Sequence, residues 1–265
     1  MSSPLPPEIL DLIVNFLHDK PDALKACCLI SKSWVHRTRK LLFAHVEFSS
    51  ESHIRLWKKA FPDPSNSPAR YTCNLSICTL AVVASVDMGV GGWIRTFSGT
   101  VRLHVDVRGL GDSGKISLVP LHGLSPTLKS LHLAYGPSVR SPEIFGLLCS
   151  FPLLEDLVLA SLGDNSDADE WNIPSTSPKF TGRLDLKMIH GIRPVVHRLL
   201  ELPSGFHFSG ISVSCLKEDV ESVKDLVSKC SDTLESLTIY YIVGAIFLSA
   251  CGWPISYRYR EHSRE

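Results

Sequence analysis

The stretch LLEDLVL, Leu153 to Leu159, places leucine at 154, 157 and 159. TLKSLHL ends at Leu133 and TLESLTI ends at Ile239 with the same spacing of apolar residues. The first apolar residues of such pairs are Leu75, Leu103, Leu131, Leu157, Leu184, Ile211 and Leu237, spaced 28, 28, 26, 27, 27 and 26 residues apart. Within a pair the alternation has period two. It predicts a short strand with Leu131 and Leu133 facing in and Ser130, His132 and Ala134 facing out. The intervening segments SPEIFGLLCSFP, RPVVHRLLELP and KEDVESVKDLVSKC carry helical spacing. Earlier ones, with Gly109, Gly111, Gly114, Pro120, Gly123 and Pro126, read as irregular. One strand and one return cannot bury their own leucines, so the units must stack.

Residues 4–45 follow a different rhythm. In LPPEILDLIVNFLHD, Ile9, Ile13, Phe16 and Leu17 recur at helical spacing, with Pro6 and Pro7 where a first turn tolerates them. Asp19 ahead of Pro21 opens a second helix with Leu24, Cys27, Cys28 and Leu29 as its apolar side. Ser31 is placed to cap a third, KSWVHRTRKLLF, with Trp34, Val35, Thr38, Leu41 and Leu42 grouped by face. Three short amphipathic helices in about forty residues make a small core, which gains stability by packing on a neighbour or a partner.

LPPEILDLIVNFL followed by DALKACCLISKSWVHRTRKLLF resembles an F-box of the kind abundant in mushroom-forming fungi. The resemblance covers roughly residues 4–45. It implies that Leu5, Pro6, Ile9, Leu10, Ile13, Leu17, Leu24, Cys28, Ser31 and Trp34 form or support a surface that docks the adaptor subunit of a cullin–RING (SCF-type) ubiquitin ligase. The period of the remaining chain resembles leucine-rich repeats. The expected fold class is therefore α+β or α/β, an N-terminal three-helix F-box-like head followed by an irregular leucine-rich-repeat solenoid. The expected division is a head over 1–48, a repeat region over 49–241 and a tail over 242–265.

The function so implied is a non-enzymatic substrate-recognition adaptor, with the repeats binding a target protein whose identity is not readable. The alternative is a repeat-scaffold interaction module that never enters a ligase. Strand alternation puts Arg102, His104, Asp106, His132, Asp156, Arg183, Asp185 and Lys187 on one outward face, the expected target-binding side.

Other signals are weaker. Lys plus Arg and Asp plus Glu are both 27, which argues against a nucleic-acid binder needing a basic surplus. The start MSSPLPPEIL has no basic region before its apolar residues, so no signal peptide is read there. The eight cysteines form no C-x-x-C, and they read as reduced thiols of a cytoplasmic or nuclear protein without a metal site. GLGDSG, 109–114, matches a dinucleotide fingerprint letter for letter. The following KISLVPLHGLSP, with its prolines, is not the helix that fingerprint needs, so it reads as a loop. DNSDADE, 164–170, lacks the central glycine and distal glutamate of a calcium loop. No catalytic triad and no cofactor are expected.

The C-terminal end has two readings. From Ser236 to Tyr257 no residue is charged, and a membrane anchor over 236–257 stays open, with Arg258 and Arg260 as flanking basics. Leu237 and Ile239 already belong to the repeat register, however, and the remaining apolar run is short for a span. The favoured expectation is a chain that stops early in a repeat, with 242–257 lying partly over an open end.

Overall fold

The computed structural model describes residues 6–30, 32–78, 91–107, 118–124, 126–136, 139, 141–161, 178–188 and 192–241. Leu5, Ser31, the segments 109–114 and 164–170 and residues 242–265 lie outside the described residues.

The chain opens with three helices, α1 (Pro7–Phe16), α2 (Pro21–Ile30) and α3 (Lys32–Leu42). Strand β1 (His45–Phe48) follows almost at once, and helix α4 (Glu51–Ala60) returns from it, its first turn capped by the Ser50 hydroxyl accepting from the His53 N–H. Then come β2 (Asn74–Ile77), the one-turn helix α5 (Gly91–Ile94), β3 (Arg102–Val107) and β4 (Ser130–Tyr135). Helix α6 (Ser141–Cys149), β5 (Asp156–Ser161), β6 (Arg183–Met188) and α7 (Arg193–Leu200) continue the order. The last elements are β7 (Gly210–Cys215), α8 (Val220–Lys229) and β8 (Ser236–Tyr241).

Among the described residues, eight strands join one sheet in sequence order, β1 to β8, and every pairing is parallel. The register aligns Leu75, Leu103, Leu131, Leu157, Leu184, Ile211 and Leu237 in one row across the sheet. A second row, Ile77, Val105, Leu133, Leu159, Leu186, Val213 and Ile239, runs beside it. From β2 to β7 both rows are buried, and each such side chain contributes roughly 1.5–3 kcal/mol.

A row of shared hydrogen bonds starts the strands. The Ala44 carbonyl accepts from the N–H groups of Cys73 and Asn74, and the Cys73 carbonyl accepts from Val101 and Arg102. Val101, Lys129, Gly182 and Ser209 repeat the pattern with the two residues that open the next strand. Each strand thereby sets the height of its successor. Gly182 is required here because a Cβ would stand 2.4 Å from the Glu155 carbonyl oxygen.

This architecture corrects the expected fold. In place of a three-helix head followed by an irregular leucine-rich-repeat solenoid, the protein builds a single eight-stranded, all-parallel sheet with helices, an α/β fold. The sheet starts at His45, directly behind α3, and the core cluster runs without a break from Val46 to Cys230. The physical reason is that periodicity reports which residues alternate, not how far one sheet extends. β1 reads HVEF and carries only Val46 and Phe48, so no leucine pair marks it. Its Phe48 nevertheless sits edge-on to Trp57, Trp93 and Phe97 at centroid distances of 5.6, 5.4 and 5.9 Å, and Phe43 at the end of the helical segment joins the cluster through Trp57. A smaller difference concerns Ala134, which has outward parity and is nonetheless buried.

Candidate interaction surfaces

Helix α1 is apolar on two sides. Leu10 and Val14 turn inward, and with Leu24 and Cys27 of α2 and Thr38 of α3 they are the buried residues of the three-helix segment among those described. The Thr38 hydroxyl donates to the Trp34 carbonyl at 2.8 Å, and the Cys28 sulfur lies 2.8 Å from Thr38 Oγ1. An ion pair between Asp11 and Arg37 ties α1 to α3. Ile9, Leu12, Ile13 and Phe16, at i, i+3, i+4 and i+7, form a second stripe that faces solvent, with Phe16 79% exposed. Leu29 and Ile30 at the end of α2 are exposed too, Leu29 by 88%. Lone exposed apolar residues are ordinary, but a full helical stripe of four is not.

The ten residues implied by the F-box resemblance therefore divide. Ile9 and Ile13 are on the exposed stripe, and Pro6 lies exposed just ahead of α1. Leu10 and Leu24 are buried inside the segment. Leu17, Cys28 and Trp34 are half-buried, and Leu5 and Ser31 lie outside the described residues. Sequence reasoning did not name Leu12, Phe16, Leu29 and Ile30 as site residues. A helical projection of α1 carries the signal, because Leu10, Val14 and Leu17 occupy a different arc from Leu12, Phe16, Ile9 and Ile13.

The open face of the sheet is the second surface. Its first row holds His45, Asn74, Arg102, Ser130, Asp156, Arg183, Gly210 and Ser236. The next holds Glu47, Ser76, His104, His132, Val158, Asp185, Ser212 and Thr238. The third runs Asp106, Ala134, Ala160, Lys187, Ser214 and Tyr240. All eight expected target-facing residues fall on this face, in three rows, from β3 to β6. Neighbouring strands stand about 4.8 Å apart, so Arg102 and Arg183 are separated by roughly 14 Å with Asp156 between them. The His104 and His132 rings lie 4.2 Å apart, and the Asn74 amide donates to His45 Nδ1 at 2.8 Å. Lys187 holds Asp185 at 2.9 Å. The result is a face of mixed charge.

Among the described residues, the cysteine thiols whose titration is shifted are all raised. Burial pushes the Cys149 thiol up to about 11, and it raises Cys230 as well as Cys215, where the Asp219 carboxylate adds to the effect. These thiols stay protonated at neutral pH. Half-burial lowers His122, against the opposing pull of Glu143. Among the described residues, no group of three or more His, Cys, Asp or Glu side chains is placed to hold a metal ion, and no helix is long and apolar enough to cross a membrane.

Scanned against models of known protein families, the chain matches none, and a search of curated proteins likewise finds no match. The functional reading rests on the residues and their placement.

Proposed function

We propose that this chain is a non-enzymatic substrate-recognition adaptor that docks a cullin–RING ubiquitin ligase through its first helices and presents its open sheet face to a target protein. The observation that carries the reading is the solvent-facing stripe Ile9, Leu12, Ile13 and Phe16 on α1. Such a stripe is the ligand half of helix-in-groove recognition, in which anchors at i, i+3, i+4 and i+7 enter an apolar groove. The resemblance of residues 4–45 to an F-box names the groove as that of the ligase's adaptor subunit. The target side rests on the rows from Arg102 to Lys187. The chain's contribution to ubiquitin transfer is proximity, with the chemistry in other subunits and in the cytoplasm or nucleus.

The test is co-purification of the full chain with the ligase adaptor and cullin. Wild type is expected to capture both, and Leu12→Lys with Phe16→Lys is expected to lose both, because an ammonium entering an apolar groove costs several kcal/mol, roughly. A wild-type chain that captures neither overturns the ligase reading. Capture that survives the double substitution places docking elsewhere than on α1.

A further inference from the structure

Among the described residues, strand β8 is the last of the sheet and pairs only with β7. It departs from every strand before it. Leu237 is 44% exposed and Tyr241 55% exposed, although their register partners Ile211 and Cys215 are buried. Tyr240, on the opposite face, is exposed as well. Edge strands are normally defended by lysine, proline, a bulge or an inward charge. β8 reads SLTIYY, holds none of these, and pairs with β7 without interruption over six residues.

We propose that β8 is a homotypic interface, at which a second copy of this chain adds its own β8 antiparallel across a two-fold axis and joins the two sheets. Charge favours a second copy over an acidic or basic partner. β8 is neutral along its length, and the whole chain has formal net charge +0, so two copies meet without long-range repulsion. The strand is also complementary to itself. Pairing centred on Ile239 sets Leu237 opposite Tyr241 of the other copy on the core-facing side and Thr238 opposite Tyr240 on the other. No charges oppose one another, and the same patch serves both copies, as a closed two-fold requires. The interface is independent of the ligase reading, since it uses the end of the sheet opposite α1–α3.

Sedimentation equilibrium of the full chain across a hundredfold concentration range tests it. The expected result is a reversible rise from 29.3 kDa to twice that mass. Ile239→Lys and Ile239→Glu are each expected to remain monomeric alone and to recover the dimer when mixed, because lysine then meets glutamate across the axis. Recovery on mixing also shows that both variants fold. If either loses its circular dichroism signal, Thr238→Lys with Tyr240→Lys and Thr238→Glu with Tyr240→Glu repeat the test on the other face, where position 238 of one copy meets position 240 of the other. A chain that is monomeric throughout overturns the proposal, as do variants that dimerise alone or fail to recover when mixed. A full chain that dimerises only after removal of 242–265 gives the strand to its own C-terminal segment and overturns it too. Open-ended assemblies larger than a dimer exclude the two-fold.

Discussion

Helix α1 and strand β5 are comparably apolar, yet their leucines and isoleucines do opposite things. In β5, Leu157 and Leu159 are buried beneath the returns, between identical rungs of β4 and β6. In α1, Leu10 and Val14 are enough to close the small three-helix core, and Ile9, Leu12, Ile13 and Phe16 are left facing water. The sheet is long enough to bury what it presents, because every strand brings the cover for its neighbour. The helical segment is not, so half of its apolar surface is left for something else. Burial in the sheet makes stability; exposure on α1 is the basis of the docking role proposed for it. The same contrast returns at β8, where the last rung has the sequence of a core strand and the exposure of a surface one.

That contrast can be broken at four places, ranked by the effect on folding. Phe151 is fully buried where α6 returns to β5, and Phe151→Ala is expected to cost about 3–5 kcal/mol in urea unfolding. A loss well under 1 kcal/mol, roughly, would mean that the sheet's core yields around the cavity in a way a tightly shared core does not. Gly182→Ala comes next. Its new Cβ meets the Glu155 carbonyl at 2.4 Å, so β5 and β6 must part locally at a cost of about 1–3 kcal/mol, read in the same unfolding curves. An unchanged midpoint would show that the junction gives way freely.

The α1 stripe should behave in the opposite way. Leu12→Lys with Phe16→Lys is expected to move stability by about 0.5 kcal/mol or less per site while abolishing adaptor capture. A large drop in melting temperature would move these residues from the interaction side of the comparison to the core side. The sheet's open face is also expected to have a small effect on folding. Arg183→Glu with Asp185→Lys breaks the pair that Asp185, 25% exposed, makes with Lys187, and should lower the melting temperature by less than either core substitution does. Target capture measured by affinity purification is expected to fall. Capture at the wild-type level would remove β6 from the target-facing surface.

Much of the sheet was legible beforehand. Leu75, Leu103, Leu131, Leu157, Leu184, Ile211 and Leu237 were readable as equivalent positions, and they lie in register. That is possible because period-two alternation is imposed by the pleat of a single strand and needs no knowledge of its neighbours. The outward parity of Arg102 to Lys187 follows from the same rule. β1 was not legible, because HVEF is too short and too polar to stand out from the helices beside it. The junction at Gly182 was not legible either, since its need for glycine arises from the carbonyl of a residue 27 positions earlier.

The sequence by itself determined where the seven strands after β1 lie, which of their residues share a face, and that α1 is an amphipathic helix. The tertiary structure alone decided that all eight strands form one parallel sheet, that it begins directly behind α3, and which apolar residues remain in water. Alternation and helical spacing are properties of a few consecutive residues, set by backbone geometry. Coverage depends on whether another element arrives from a distant part of the chain. For Leu157 it arrives from both neighbouring strands; for Phe16 and Leu237, among the described residues, it does not.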